Sequence, residues 1–140
     1  MKVTKLNKEL LNIYYRKDSK LYAQLVHDYV YVTDSYRVWK LKYDDFMLDM
    51  NKLKTTDLAH FFNEDGYVPG YKTNQLVETN DGIIGVYIKS EESDFEVLIN
   101  KTYLNKFNDN CTFKVKGEHE PVLVYEYDEL VGLVLPMRKY

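Results

Sequence analysis

The chain has 140 residues, 45% of them hydrophobic and 29% charged, with a formal charge of −3, the make-up of one globular domain long enough to bury a core. No apolar run approaches the roughly 20 residues of a membrane span, and Met1-Lys2-Val3-Thr4-Lys5-Leu6 lacks the apolar stretch and cleavage site of a secretory signal. The lone cysteine, Cys111, excludes an internal disulfide and fits a reducing compartment, so the expectation is a cytoplasmic protein with no membrane partner.

Charge is unevenly spread. Residues 1–20 set Lys2, Lys5, Lys8, Arg16, Lys17 and Lys20 against Glu9 and Asp18, an excess of four positive charges that leaves −7 on the rest. An acidic body argues against nucleic-acid binding all over the surface and leaves room for one basic face.

In chain order, Met1–Leu6 alternates enough for a short first strand. Residues 7–17 follow as a helix, with Asn7 as its N-cap and Leu6, Leu10, Ile13 and Tyr14 at helical spacing. Lys5, Lys8, Asn12 and Arg16 gather on the opposite face, with Glu9 among them. Leu21–Val26, Tyr29–Thr33 and Tyr36–Leu41 read as a strand meander, broken at His27-Asp28 and Asp34-Ser35. Residues 43–53 return to helical spacing, a helical insertion. Thr55–Tyr71 reads as a loop with a short helix near Leu58–Phe62. Strands resume at Gln75–Glu78, turn at Asn80-Asp81-Gly82 into Ile83–Lys89, and continue at Phe95–Ile99. Asn100 caps a second helix through Phe107. Thr112–Lys116, Val122–Tyr125 and Leu130–Leu135 close the chain as strands. The expected fold is α+β: a single domain over residues 1–140 with mostly antiparallel sheets and two packed helices.

Catalytic signatures are scarce. His27, His60 and His119 are far apart, and His60 with Glu64, four residues on, falls short of a metal-binding pattern. There is no phosphate-binding glycine loop and no nucleophile elbow. Cys111 has no histidine near it in sequence. The residues make no positive case for an enzyme, a cofactor or a metal, and the reading is of a non-catalytic protein.

Three stretches in the same order resemble the bacterial DNA sliding clamp, the beta subunit of the replicative polymerase. They are Met1-Lys2-Val3-Thr4-Lys5-Leu6-Asn7-Lys8-Glu9-Leu10-Leu11, then Tyr29-Val30-Tyr31-Val32-Thr33-Asp34-Ser35-Tyr36-Arg37-Val38, then Leu133-Val134-Leu135-Pro136-Met137-Arg138. A weaker match is Ile99-Asn100-Lys101-Thr102-Tyr103-Leu104. Together they cover about half the chain, and residues 43–95 contribute little.

The resemblance implies a DNA-clamp-like domain whose helices face double-stranded DNA without reading sequence, through Lys5, Lys8, Asn12, Arg16, Lys101 and Lys106. It also implies a pocket for peptides of replication proteins such as a polymerase or clamp loader. That pocket draws on Thr33, Asp34, Tyr36, Arg37 and Val38 of one domain and on Asn100, Tyr103, Pro136, Met137 and Arg138 of the next. Because one chain carries both sets, identical chains packed head to tail would complete a pocket at each junction, giving a homo-oligomeric ring of six. The function implied is that of a DNA-replication accessory protein. The alternative is an interaction module that mimics or inhibits a host clamp or clamp loader without forming a ring. The small size points to a phage or mobile-element gene.

Overall fold

The computed structural model describes residues 1–138. It is an α+β domain with one α-helix, α1 (Val3–Tyr14), and ten strands. The strands are β1 (Tyr22–Val26), β2 (Tyr29–Thr33), β3 (Arg37–Lys42), β4 (Lys54–Thr55), β5 (Val68–Glu78), β6 (Ile84–Ser90), β7 (Glu96–Asn100), β8 (Thr112–Val115), β9 (Val122–Glu126) and β10 (Glu129–Val134). All join one sheet in the order β4-β1-β2-β3-β10-β9-β8-β5-β6-β7, antiparallel except for the two-residue pairing of β4 with β1. Two similar units meet at its centre. A helical segment and a three-stranded meander, α1 with β1–β3, face a second such set, the 3₁₀ turn Lys101–Leu104 with β8–β10, across the β3–β10 pair.

The helix differs from expectation at both its start and its cap. Residues 1–6 form no strand. Val3, Leu6, Leu10 and Ile13 share one face of α1, and the Lys2 N–H donates to the Lys106 carbonyl at 2.8 Å, fixing the entry of the chain. Asn7 is not a cap but a buried residue of the helix interior. Its amide nitrogen donates to the carbonyls of Val3 and Asp45, and its oxygen accepts from the Met47 N–H, each at 2.9 Å. A fully satisfied buried amide therefore pins residues 45–47 to α1.

The helical insertion at 43–53 and the second helix at 100–107 are likewise corrected. Residues 43–53 form two 3₁₀ turns, Tyr43–Asp45 and Met50–Lys52, separated by extended backbone at Phe46 and Asp49. Phe46 is buried and Leu48 and Met50 pack against the core, so alternate residues turn inward, which a helix would not allow. At 100–107 only Lys101–Leu104 is helical. Asn100 does act as its cap, accepting from the Thr102 N–H at 3.0 Å, but the bonds Asn105 N–H to Thr102 and Phe107 N–H to Leu104 span three residues rather than four. The expected loop at 55–71 gives way to β5 at Val68, while the Asn80-Asp81-Gly82 turn joins β5 to β6 as read.

One face of the sheet holds the main core: Leu6, Leu10 and Ile13 of α1 against Val30, Val32, Trp39, Val86, Ile88, Val97, Ile99, Val122 and Val124. The sheet curls round α1 far enough for the segment after β10 to reach β7, where the Met137 N–H donates to the Leu98 carbonyl at 2.7 Å. At the helix start the Met1 amine makes a buried ion pair with Glu126 at 2.6 Å. The opposite face carries a smaller cluster of Tyr31, Val38, Leu58, Leu123, Tyr125 and Leu133. Residues 58–67 lie over it, held by Gln24, whose side-chain oxygen accepts from the N–H groups of Leu58 and Ala59 at 2.8 Å each.

Gly132 sits where Phe107 must lie. A Cβ there would stand 2.5 Å from the Phe107 Cζ and 2.9 Å from the Val38 carbonyl, against a ring and a backbone that have no room to move. At Gly85 the clashes are with the flexible ends of Leu98, at 2.8 Å, and Met137, at 3.0 Å. Gly132→Ala is therefore expected to cost about 3 kcal/mol, at the upper end for overpacking, and Gly85→Ala about 1 kcal/mol. Urea denaturation of both variants measures the difference.

Candidate functional site

The β2–β3 turn is built by its own side chains. Thr33 Oγ1 donates to the Arg37 carbonyl at 2.7 Å and accepts from the Ser35 N–H at 3.0 Å. Asp34 Oδ1 accepts from the N–H groups of Tyr36 and Arg37 at 3.1 and 3.2 Å. Ser35 takes a left-handed φ of 84°, a conformation that these side-chain bonds hold in place.

Arg37 is the centre of the site. Although its side chain is only 6% exposed, Nε donates to Asp34 Oδ2 at 3.0 Å and Nη2 to Glu9 Oε1 of α1 at 3.1 Å. The guanidinium lies between two rings, 4.5 Å from the centroid of Trp39 and 4.5 Å from that of Tyr103. Two carboxylates and two aromatic faces thus satisfy one buried cation, and they come from α1, the turn, β3 and Lys101–Leu104. Tyr36 stacks on Tyr103, with ring centroids 6.3 Å apart, and is itself exposed. Burial and the neighbouring Asp34 carboxylate push the Tyr103 hydroxyl pKa up. Among the described residues Trp39 Nε1 is the one buried side-chain polar atom without a hydrogen-bond partner.

A cleft of about 410 Å³ opens beside this cluster, lined by Glu9 of α1 and Arg16 just after it, by Asp34, Tyr36 and Arg37, and by Thr102, Tyr103 and Lys106. Of the expected pocket residues, Asp34, Tyr36, Arg37 and Tyr103 line it. Thr33 and Asn100 shape the turns beneath, and Val38 points to the opposite face of the sheet. Pro136, Met137 and Arg138 are not part of its lining. The Leu135 N–H donates to the Tyr36 carbonyl at 2.9 Å, and the chain then runs to β7, where Met137 covers Gly85. The head-to-tail expectation divides the turn and the Asn-x-x-Tyr segment between two subunits. In the structure Arg37 and Tyr103 also meet within one chain, where the curl of the sheet brings Lys101–Leu104 back onto β3.

The DNA-facing set also comes together in part. Lys5, Lys8 and Asn12 are exposed along α1; Arg16 is exposed beyond the end of the helix, which stops at Tyr14 rather than at residue 17, and Lys101 is exposed on its turn. Lys106 is half-buried; burial holds its pKa below the usual lysine value, with a further lowering from Arg37, Lys5 and Lys2 partly offset by Glu9. Sequence reasoning did not single out Glu9 and Trp39. Glu9 stands among lysines on the polar face of α1, and only the fold shows that it faces Arg37. His60 and Glu64 take separate partners: His60 Nδ1 meets Asp57 at 3.3 Å, and Glu64 accepts the Tyr125 hydroxyl.

Among the described residues no group of three or more His, Cys, Asp or Glu is placed to hold a metal ion, and no helix is long and apolar enough to cross a membrane. No family model, curated protein or solved structure matches the chain.

Removing a buried cation leaves two carboxylates uncompensated, so Arg37→Ala is expected to destabilise the fold by about 3 kcal/mol, while Arg37→Lys keeps the charge and loses the fork, costing less. Chemical denaturation checks the order. A pH effect follows from Tyr31, Tyr67, Tyr103 and Tyr125, whose pKa values are all raised above 10.0, chiefly by burial. Their contribution is fully present below the unfolded pKa and is lost as pH rises through the folded values. Stability measured from pH 8 upward should begin to fall near pH 10.0, and Tyr125→Phe should flatten that fall.

Proposed function

We propose that this chain is a non-catalytic accessory protein of DNA replication, built like one domain of a processivity clamp. In this reading α1 meets duplex DNA through its phosphates, and the cleft beside Arg37 takes a short peptide of a replication protein. The observation that carries the reading is the meeting of three features at one place: the basic arc of α1, the Thr33–Arg37 turn and Tyr103. The two three-stranded meanders, β1–β3 and β8–β10, that join at the β3–β10 pair also support it. Lys5 and Lys8 offer cations one helical turn apart on α1, and Arg16 adds a third just past its end, suited to phosphates and blind to sequence. The cleft offers Tyr36 and Tyr103 as apolar walls and Asp34, Arg16 and Lys106 as orienting polar groups.

The alternative, an interaction module that caps or inhibits a host clamp or its loader without a ring, gains from one specific observation. The turn and Tyr103 share a chain, so the cleft needs no second subunit to bring them together.

Reversing Lys5 and Lys8 to glutamate should weaken duplex binding about tenfold at low salt and flatten its salt dependence. Unchanged retention on DNA contradicts the α1 assignment. Tyr36→Ala, an exposed change, should weaken capture of a clamp-binding peptide of a replicative polymerase about tenfold and leave DNA binding intact. Light scattering separates the two readings: six times the chain mass of 16.7 kDa supports a ring, and a monomer at every concentration supports the module.

A further inference from the structure

We propose that the outer face of the sheet, on the side away from α1, is a binding surface for single-stranded nucleic acid. Side chains alternate between the two faces of a strand, so the register decides which residues share this one. Tyr31 lies opposite Lys40, Tyr29 opposite Lys42, and Tyr22 opposite Lys54, all on the outer side with Leu123 and Lys114 of β9 and β8. At the outward positions of β1–β4 and β8–β10 every charged residue is a lysine: Lys40, Lys42, Lys54 and Lys114. In a chain of net charge −3, such sorting sets four cations on the strands of this face, with the carboxylates near it supplied by the overlying segment rather than by the sheet.

The lysines lie over aromatic rings. Lys40 Nζ is 4.3 Å from the Tyr29 centroid and 5.9 Å from that of Tyr31, and Lys114 Nζ is 4.9 Å from that of Tyr125. Among the described residues one carboxylate pairs with these lysines, that of Glu64, 3.8 Å from Lys114. Glu64 also accepts the Tyr125 hydroxyl. The segment over this face thus places an anion where cation and phenol converge, and Lys40, Lys42 and Lys54 have no such partner. Complementarity calls for a polyanion that also has flat apolar faces. A single strand supplies both phosphates and unstacked bases, whereas a duplex hides its bases from a sheet. Tyr29 is half-buried beside Lys40 and Lys42, with Lys40 Nζ over one face of its ring, and Lys42 is exposed.

The test is fluorescence anisotropy of a labelled oligothymidylate of about 15 nucleotides, starting at about 50 mM salt and rising. The full chain should bind. Lys40→Glu with Lys42→Glu should weaken binding at least about tenfold and lower the salt slope by about 1.4. Tyr29→Leu should weaken it about tenfold with the slope unchanged, the mark of lost stacking. Lys5→Glu with Lys8→Glu should leave this binding as it was, which separates the outer face from the α1 reading. Circular dichroism establishes that each variant is folded, and Lys40→Gln with Lys42→Gln gives the same direction without reversed charge. The proposal is overturned if the wild type does not bind, if the Lys40 and Lys42 variants bind as it does, or if a duplex of the same length depends on those lysines as strongly.

Discussion

Most of what this protein presents to a partner depends on how one buried guanidinium is satisfied. Arg37 stands at the start of β3, where the sheet, α1 and the 3₁₀ turn Lys101–Leu104 converge. Its charge survives out of water because Asp34 and Glu9 each accept from it and because Trp39 and Tyr103 turn their ring faces to it. None of the four partners is adjacent to another in sequence. The cation therefore acts as a register mark, and α1, the turn and Lys101–Leu104 have one relative placement that satisfies it. The cleft is the space left beside that placement.

The sheet makes this convergence possible. It must curl tightly enough to bring residues near the two ends of the chain onto β3, and small residues allow the close approach. The Phe107 ring packs against Gly132, which pairs with Trp39 across the sheet, and Met137 covers Gly85. On the other side, residues 58–67 shield Tyr31 and Tyr125 and leave the lysines between them at the surface. The two faces thus divide their labour. The inner one buries apolar side chains around α1, and the outer one sorts lysine and tyrosine into a surface with its own electrostatic character.

Much of the strand order was legible because alternating Tyr, Val and Leu between Asp, Asn and Gly turns is a local signal; β1, β2, β9 and the β5–β6 turn were read from it. The helical insertion was misread because Phe46, Met47 and Met50 match helical spacing, while the force that settles their conformation, Asn7 binding residues 45–47, is forty residues distant. The opening strand was misread for a related reason: Met1 and Val3 alternate as in a strand while Val3 and Leu6 sit at helical spacing, and burial against the curled sheet chooses the helix. In the site, the turn residues were visible as Thr-Asp chemistry. That Arg37 would face Tyr103 of its own chain was not, since the contact depends on curvature, which no local pattern encodes. Glu9 was hidden by its basic neighbours. The outer-face lysines could have been found by counting alternate positions on adjacent strands, since Lys40 and Lys42 share a phase and Tyr29 and Tyr31 share another.

The central claim is that Arg37 is a clasped, buried cation joining three elements of a single chain. Side-chain nuclear magnetic resonance of the Arg37 Nε–H tests it most directly. The structure predicts a resonance protected from exchange with water, displaced by the Trp39 and Tyr103 rings, with cross-peaks to the Tyr103 ring and loss of protection in Asp34→Ala, which removes the acceptor of that N–H. An Nε–H that exchanges as fast as that of a solvent-exposed arginine, with no contact to Tyr103, would contradict the account.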